Sequence, residues 1–513
     1  MTTTWAELVG TALLGTGRRG GTPEELLDAA ALAVARRRAG VRTAAAGARP
    51  ATAPHDPRPP LPEAARRRLS LLLADRSAGG GGGSRRGAAP NLAELLPQWL
   101  AEADARGWAA PPELLPALLD AARARTDLRP DALALAGPRG LWLAELNADW
   151  RFALRAGAPG VVPDTGDPGA VRTLWEEGLF AERVALLARL RARDPVQALE
   201  LLRSGWAAER AEDRLMFLDS LREGLSLQDE PFLEQALADR SRNVRATAAE
   251  LLSALPGSAL AARMAARART CVAWDPTAGR IGVEAPYECD AAMERDGVVA
   301  IPPAGRGERS WWFGQVVDAA PLATWRERFG GRTPEEVIAL PVADDWQADL
   351  HAAWCRAAVR QGDASWARAL LGPAPAPSTA VSPVGDPAKL LSILPAPERA
   401  EWVARFIAAH GLSEAFQMLA VCAVPWAEPL GAAVVDALDI ARDAGSYPWS
   451  FSGVMGLAER CMDPAEADRA APLAAVPAES ADTSPGAGAY WAEAFQRLVG
   501  TLRLRATMLA ELA

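Results

Sequence analysis

One stretch of the sequence limits the fold more than any other, because it has the pattern of two short amphipathic helices joined by a tight turn. The stretch DEPFLEQALADRSRNVRATAAELLSALPGSALAARM runs from Asp229 to Met264. Apolar residues form one face before a polar turn at 239–243 and a second face after it: Phe232, Leu233, Ala236 and Leu237, then Val244, Ala248, Leu251, Leu252 and Leu255. Neither helix buries its apolar face alone, so we expect the pair to stack on neighbouring helices.

This hairpin resembles a HEAT repeat, a family in which proline stands in the first helix, aspartate at the turn, and Val-Arg at the opening of the second helix. The matching residues here are Pro231, Asp239, Val244 and Arg245. Proline fits near a helix start, an aspartate at a turn accepts hydrogen bonds from backbone amides, and the arginine can reach an acid or a carbonyl of a neighbouring turn. We therefore expect structural roles for all four residues.

Looser helical pairs recur along the chain. One begins at Asp194, 35 residues before Asp229, and others lie at 90–125, 344–371 and 396–422. Pro/Gly-rich breaks separate them at 49–62, 79–87, 156–169, 372–387 and 463–489. Strand patterns are scarce, and the least helical region, 274–303, has room for one short β-hairpin. The sequence predicts an all-α fold: an α-α superhelix, or HEAT-like array of helical hairpins, with long Pro/Gly-rich loops.

From these patterns we divide the 513 residues into four segments. We expect an N-terminal helical region with a basic bias at 1–125, HEAT-like helical repeats at 126–270, and an irregular insert followed by helical hairpins at 271–372. A C-terminal helical region follows at 388–513, with a loop near 463–489.

The N-terminal stretch ALLGTGRRGG contains a G-x-G-x-x-G pattern at Gly15, Gly17 and Gly20. A dinucleotide-binding loop needs a strand before the pattern and a helix that begins inside it. Here the preceding residues 5–13 have helical spacing, and the next helix starts later, where Thr22, Pro23 and Glu25 provide a capping box. We interpret the motif as a connection between two helices and expect no nucleotide cofactor.

Few residues in the chain suggest catalysis or metal binding. His351 and Cys355 lie on one helix face, but a zinc site needs at least a third ligand, and the five cysteines form no C-x-x-C pair. The single lysine, Lys389, has no glycine-rich loop around it. We expect no enzyme activity, cofactor or metal; an enzyme with a site of scattered carboxylates stays an alternative.

Charge is uneven along the chain. Residues 1–90 hold 14 arginines and 7 acids, whereas the whole chain has a net charge of −9. A basic region of this kind can bind nucleic acid, which gives a second functional alternative. The triplets Arg36–Arg38 and Arg66–Arg68 argue against it, because consecutive residues point in different directions around a helix. We favour a solvated surface.

Tryptophan is unusually frequent, with 18 residues against 10 Phe and 3 Tyr. Most tryptophans in a helical protein fill the core, but interfaces also favour this residue. Trp311 and Trp312 are the candidate interaction residues, together with Arg242, which the hairpin pattern places on an outward turn.

Three further segments make the whole chain resemble a bacterial family known as domain of unknown function 5691. They are WAELVGTALLGTGRR near the start, GERSWWFGQVVDAAPLATW at 307–325, and the final helix FQRLVGTLRLRATMLAEL. The resemblance supplies no catalytic residues. Members are often encoded near MoxR-type ATPases and von Willebrand A-domain proteins, which implies a partner role in an ATPase-linked bacterial system.

The leading functional hypothesis is a non-enzymatic protein-interaction scaffold with protein partners of unknown identity. The apolar stretch at the N-terminus is interrupted by Glu7 and has no preceding basic residues, unlike a secretory signal. No run of apolar residues approaches the length of a membrane span. We expect a cytoplasmic protein that does not enter membranes.

Overall fold

The computed structural model describes residues 5–19, 21–39, 50–78, 89–155, 167–373, 386–475 and 487–513. The chain separates into two compact units, residues 1–54 and 55–513. The described residues of the first form three helices: α1 (Trp5–Leu14), α2 (Thr16–Arg19) and α3 (Pro23–Arg38). The predicted capping box begins α3: the Thr22 side chain accepts from the Glu25 amide, and the Thr22 amide donates to the Glu25 carboxylate.

The second unit begins with twelve helices. They are α4 (Glu63–Ala78), α5 (Leu92–Ala105), α6 (Leu115–Ala124), α7 (Arg129–Leu146), α8 (Phe152–Arg155), α9 (Pro168–Glu177), α10 (Phe180–Arg193), α11 (Pro195–Gly205), α12 (Ala211–Asp219), α13 (Glu230–Ala236), α14 (Arg242–Ser253) and α15 (Ala259–Cys271). A two-stranded antiparallel sheet follows, made of β1 (Val272–Asp275) and β2 (Arg280–Val283).

Thirteen more helices complete the described part of this unit. They are α16 (Ala291–Arg295), α17 (Glu308–Ala319), α18 (Ala323–Arg328), α19 (Pro334–Ile338), α20 (Gln347–Gln361), α21 (Ala364–Leu371), α22 (Pro387–Ile393), α23 (Ala396–His410), α24 (Leu412–Leu419), α25 (Glu428–Asp443), α26 (Ser452–Cys461), α27 (Ala467–Ala470) and α28 (Ala487–Glu511). Short 3-10 turns lie at Pro112–Leu114, Thr126–Leu128, Ala148–Trp150, Trp206–Ala208, Ser220–Arg222, Pro448–Phe451, Pro464–Glu466 and Ala471–Ala474. The prediction of an all-α fold is confirmed.

Helix starts follow a local rule that the sequence repeats. Asp167, Asp194 and Asp386 each precede a proline, and their side chains accept hydrogen bonds from amides two or three residues later. The aspartate satisfies donors that the first helical turn leaves free, while proline supplies a helical φ and lacks the amide that would otherwise be unpaired. The Asp-Pro pairs therefore fix where α9, α11 and α22 begin.

The predicted hairpin at 229–264 forms as α13 and α14, which pack against each other. Val244, Leu251 and Leu252 are buried, so the apolar face of α14 points into the core as its spacing predicts. Asp229 is also buried, where it forms an ion pair with Arg191 of α10. The hairpin is thereby joined to the preceding helices by apolar packing and by this buried ion pair.

Several of the predicted Pro/Gly-rich breaks look different in the structure. The break at 49–62 is anchored over part of its length, because Arg58 pairs with Asp56 and donates to the carbonyl of Ala134. Arg58 can lie this close to α7 because residue 137 is glycine. A Cβ atom at Gly137 would lie 2.0 Å from the Arg58 guanidinium. The break near 463–489 is helical over 464–474. The break at 79–87 and most residues of those at 156–169 and 372–387 lie outside the described residues.

The short hairpin expected within 274–303 is present, although it begins two residues earlier, at Val272. The DGVVAIPP stretch at 296–303, in the same region, forms no strand. Its residues Val299 and Ala300 instead accept hydrogen bonds from tryptophans of α17. None of the helices in the described ranges combines the length and the apolar character of a membrane span.

Helix α28 contributes to two separate hydrophobic cores. Trp491, Phe495, Leu498 and Leu502 join the larger core, which extends from Val171 onward. Met508 and Leu512, at the end of the helix and just beyond it, complete a smaller core built by residues 61–136. Polar contacts reinforce the packing of the α28 end against the smaller core. Arg68 and Glu511 pair at 2.7 Å, and the Trp108 indole donates to the carbonyl of Leu512.

Candidate functional site

The HEAT-like residues lie at the turn between α13 and α14. Asp239 accepts from the Ser241 amide at 2.8 Å and pairs with Arg214 at 3.2 Å. Arg245 donates to the carbonyls of Asp239 and Arg240. Val244 is buried and Pro231 opens α13. Arg242, proposed from the sequence as a contact residue, is exposed at the first position of α14.

Trp311 and Trp312 occupy a different environment from the one expected of interaction residues. Trp312 is only 8% exposed, and Trp311 is half-buried. The Trp311 indole donates to the carbonyl of Val299 and the Trp312 indole to the carbonyl of Ala300, each at 2.8 Å. These bonds fasten the 296–303 segment to α17, and neither indole N–H is left for a partner.

The residues weighed for metal or nucleotide binding also lie in structural positions. His351 and Cys355 are buried in α20, and His351 stacks on Trp354. Across the residues that the structure describes, no three His, Cys, Asp or Glu side chains are grouped to hold a metal ion. The segment before Gly15 and Gly17 is helical, as predicted, and not a strand; Gly20 lies outside the described residues.

The arginine triplet at 66–68 points toward three different acids. Arg66 pairs with Glu113, Arg67 with Glu63 and Arg68 with Glu511. The expectation that the triplet spreads around its helix is confirmed. The three guanidinium groups face three different carboxylates, so they do not lie along one face of α4.

An exposed aromatic patch, formed by Tyr447, Trp449 and Tyr490, is the first candidate interaction surface. Tyr447 and Trp449 stack with ring centroids 4.2 Å apart, and Trp449 meets Tyr490 edge-on at 5.5 Å. Trp449 is 56% exposed and Tyr490 is 52% exposed. Large exposed aromatic groups are typical anchors of protein interfaces, because they bury much apolar area at little entropic cost.

A buried residue of α28 fixes the position of the aromatic patch. Trp491, next to Tyr490 in α28, is buried and donates to the carbonyl of Ser446 at 2.6 Å. This bond fixes the backbone just before Tyr447 against α28. Beside the patch lies a cavity of about 210 Å³, lined in part by Glu459 and Arg497, which pair at 2.8 Å.

The second candidate is an apolar groove of about 390 Å³, called here the Arg505 groove. It is lined by residues of α5 and α28 and by loop residues between α24 and α27: Gln98, Trp99, Ala101, Glu102, Ala105, Val424, Pro425, Pro464, Arg505, Met508, Leu509 and Leu512. Glu102 is the acid of this lining, and it pairs with Arg106 at 3.0 Å.

Arg505 is the unusual member of this lining, since it is only 8% exposed. Its Nη1 donates to the carbonyls of Glu459 and Met462, and it forms no ion pair with a described carboxylate. Burial lowers the pKa of the Arg505 guanidinium from its ordinary value, and the negative charge of Asp463 opposes this shift. Charged groups inside proteins are ordinarily paired, so a buried guanidinium that forms no direct ion pair with a described carboxylate is unusual.

The sequence contains a pattern that could have identified Arg505 as a candidate site residue, although we did not predict it. Trp491, Phe495, Leu498, Leu502, Met508 and Leu512 form an apolar stripe at helical spacing, and Arg505 lies within that stripe. An arginine on the core face of a helix indicates an unusual environment. The aromatic patch had no comparable signal, because its residues come from segments more than 40 positions apart.

A model of the family described as "Family of unknown function (DUF5691)" matches residues 7–512 of the chain. No curated protein and no solved structure matches it.

Proposed function

The chain belongs to DUF5691, a family of unknown function, and we propose that it is a protein-interaction scaffold whose partner docks on the aromatic patch. The observation that carries this proposal is the exposure of Trp449 and Tyr490 beside each other on a supported surface. Soluble proteins seldom leave such a cluster uncovered unless it serves recognition.

The support beneath the patch strengthens the proposal. Trp491 fastens the chain before Tyr447 to α28, and the stacking of Tyr447 on Trp449 restricts both rings. A surface ordered before binding loses less conformational entropy when the partner arrives. The cavity next to Trp449 offers space for a partner side chain.

The test is affinity capture from native cell extract, with and without nuclease, using wild type, Trp449→Ala and Tyr490→Ala proteins. A hot-spot tryptophan contributes about 2 kcal/mol, so Trp449→Ala should weaken partner binding about 30-fold. Trp5→Ala is the matched control, because Trp5 is similarly exposed and lies in the other unit. Unchanged melting temperatures would show that the variants are folded.

Equal capture by wild type and Trp449→Ala would contradict the docking site. Material that disappears on nuclease treatment would favour nucleic-acid binding through the arginine-rich N-terminal region instead. Its affinity would then fall steeply with added salt.

The finer form of this proposal assigns the partner to a MoxR ATPase/von Willebrand A-linked bacterial system. It derives from the family resemblance, and it is tested directly with purified proteins. A MoxR-type ATPase and a von Willebrand A-domain protein from the same genome would each be titrated against wild type and Trp449→Ala. If neither protein binds, the partner does not belong to this system, and the scaffold proposal has to be tested with other partners.

A further inference from the structure

We propose that the Arg505 groove binds an apolar segment of a partner protein through a carboxylate that pairs with Arg505. The groove supplies an apolar lining and one guanidinium that has no carboxylate partner among the described residues. This inference rests on the proposed function only in that the ligand is a protein. The groove is a separate site from the aromatic patch.

The hydrogen-bond donors of Arg505 favour a carboxylate. Nη1 is committed to two backbone carbonyls, which leaves Nε and Nη2 as a side-on pair of donors. That pair matches the two oxygens of a carboxylate. A phosphate group carries more charge and would meet a single cation in an apolar lining that also includes Glu102.

A second unpaired donor borders the same groove. Trp99 is buried, and its indole Nε1 has no hydrogen-bond partner among the described residues. Buried polar groups without partners are rare and costly. The Trp99 Nε1 atom is enclosed, as are those of Trp325, Trp354 and Trp426, so Arg505 is the donor that a ligand in the groove can reach.

The form of the groove favours a polypeptide segment. Its volume of about 390 Å³ is near the lower end of the range for ligand sites, about 300–1,000 Å³, so it admits a few side chains. Ala101, Ala105 and Leu509 provide apolar walls on two helices. An amphipathic segment can place its apolar side chains between such walls and its acidic side chain on Arg505.

The experiment is selection of a random 12-residue peptide library on the full chain, followed by titration of synthetic versions of the selected peptides. We expect enrichment of Asp or Glu next to bulky apolar residues. Replacing that acid in the peptide with its amide should weaken binding at least 10-fold, because Arg505 loses its partner.

Two added glutamates then test the role of Arg505 without removing it. Leu509 lies one helical turn after Arg505 on the same face, so Leu509→Glu supplies an internal carboxylate and should abolish binding. Ala510→Glu is the matched control: Ala510 is exposed on α28 and does not line the groove, so the same charge is added outside the site and the affinity should stay within about threefold of wild type. Melting temperatures check that both variants fold.

The inference is overturned if no peptide is enriched, if enriched peptides lack an acid, or if Leu509→Glu binds them as well as wild type. Binding of dodecanoate in the absence of any selected peptide would assign the groove to a small amphiphile and also overturn it. If Trp449→Ala abolishes peptide binding, the peptides occupy the aromatic patch; the groove inference then fails while the scaffold proposal stands.

Discussion

Arg191 and Asp229 form an ion pair whose side chains are both fully buried. Arg191 also donates to the carbonyls of Leu221 and Glu223, while Asp229 accepts from the Ser226 amide. The pair therefore connects α10, the 221–226 connection and the start of α13. Two buried charges with saturated hydrogen bonds are tolerated, but either one alone is not.

Asp229→Ala should consequently lower the free energy of unfolding by about 3–5 kcal/mol, because it leaves Arg191 buried and unpaired. Urea denaturation measures the change. Asp219→Ala is the control: it removes the acid that pairs with Arg222 on the surface, where such a pair contributes about 0–1 kcal/mol. Similar losses in the two variants would mean that Arg191 finds another partner or reaches water.

The cysteines give a second prediction for single residues. Burial raises the pKa of the Cys355 thiol to about 12 and that of Cys422 to about 11. The thiolate is the reactive form, and at pH 8 both groups stay protonated as well as enclosed. Native protein titrated with a disulfide reagent at pH 8 should therefore leave Cys355 and Cys422 unmodified, whereas all five cysteines should react in denaturant. Rapid modification of Cys355 in the native protein would contradict its burial.

The α13–α14 hairpin is the element in which the sequence pattern makes its sharpest stability prediction. Leu251 is buried, so Leu251→Ala should cost about 2–5 kcal/mol. Asp239→Ala loses a turn hydrogen bond, a cost of about 1 kcal/mol, and leaves Arg214 without that ion pair, which adds to the loss. Arg242→Ala, at an exposed helix start, should change stability by less than about 0.5 kcal/mol. Equilibrium denaturation ranks the three variants, and a harmless Leu251→Ala would contradict the packing.

If Arg242→Ala instead weakens partner binding while stability is unchanged, the turn itself is a contact surface. That result would add a site to the scaffold, distinct from the aromatic patch.

At the scale of elements, the predictable features are those whose causes are local. Thr22 with Glu25, and the Asp-Pro pairs at 167, 194 and 386, define helix starts within three or four residues. The apolar spacing of α14 determines its buried face. The helical spacing of the sequence places Arg505 on the apolar face of α28. Whether a carboxylate lies next to it depends on elements distant in sequence. For the same reason, the pattern alone does not distinguish the buried Trp312 from the exposed Trp449.

At the scale of the second unit, α28 connects two hydrophobic cores, because it contributes side chains to both. Its residues up to Leu502 pack in the larger core, and Met508 and Leu512 pack in the core of residues 61–136. The sequence could not indicate this arrangement, because Arg68 and Glu511 are 443 positions apart and local periodicity contains no information on such pairing.

Leu512→Ala should therefore loosen α4 and α5, which share its core, more than the α13–α14 hairpin. Hydrogen exchange followed by mass spectrometry measures both regions in one experiment. Phe495→Ala, in the larger core, is the reciprocal control and should affect residues 61–136 less. Equal acceleration of exchange throughout residues 55–513 would show instead that the two cores unfold together.

The contact between α28 and residues 61–136 also sets an order of events during synthesis. A ribosome makes the N-terminal apolar surface first and supplies Met508 and Leu512 only some 370 or more residues later. At about 5–20 residues per second, that surface stays incomplete for roughly 20–90 seconds. Throughout that interval the nascent chain exposes leucines that the finished protein hides, and we expect this surface to be open to aggregation or to chaperone binding.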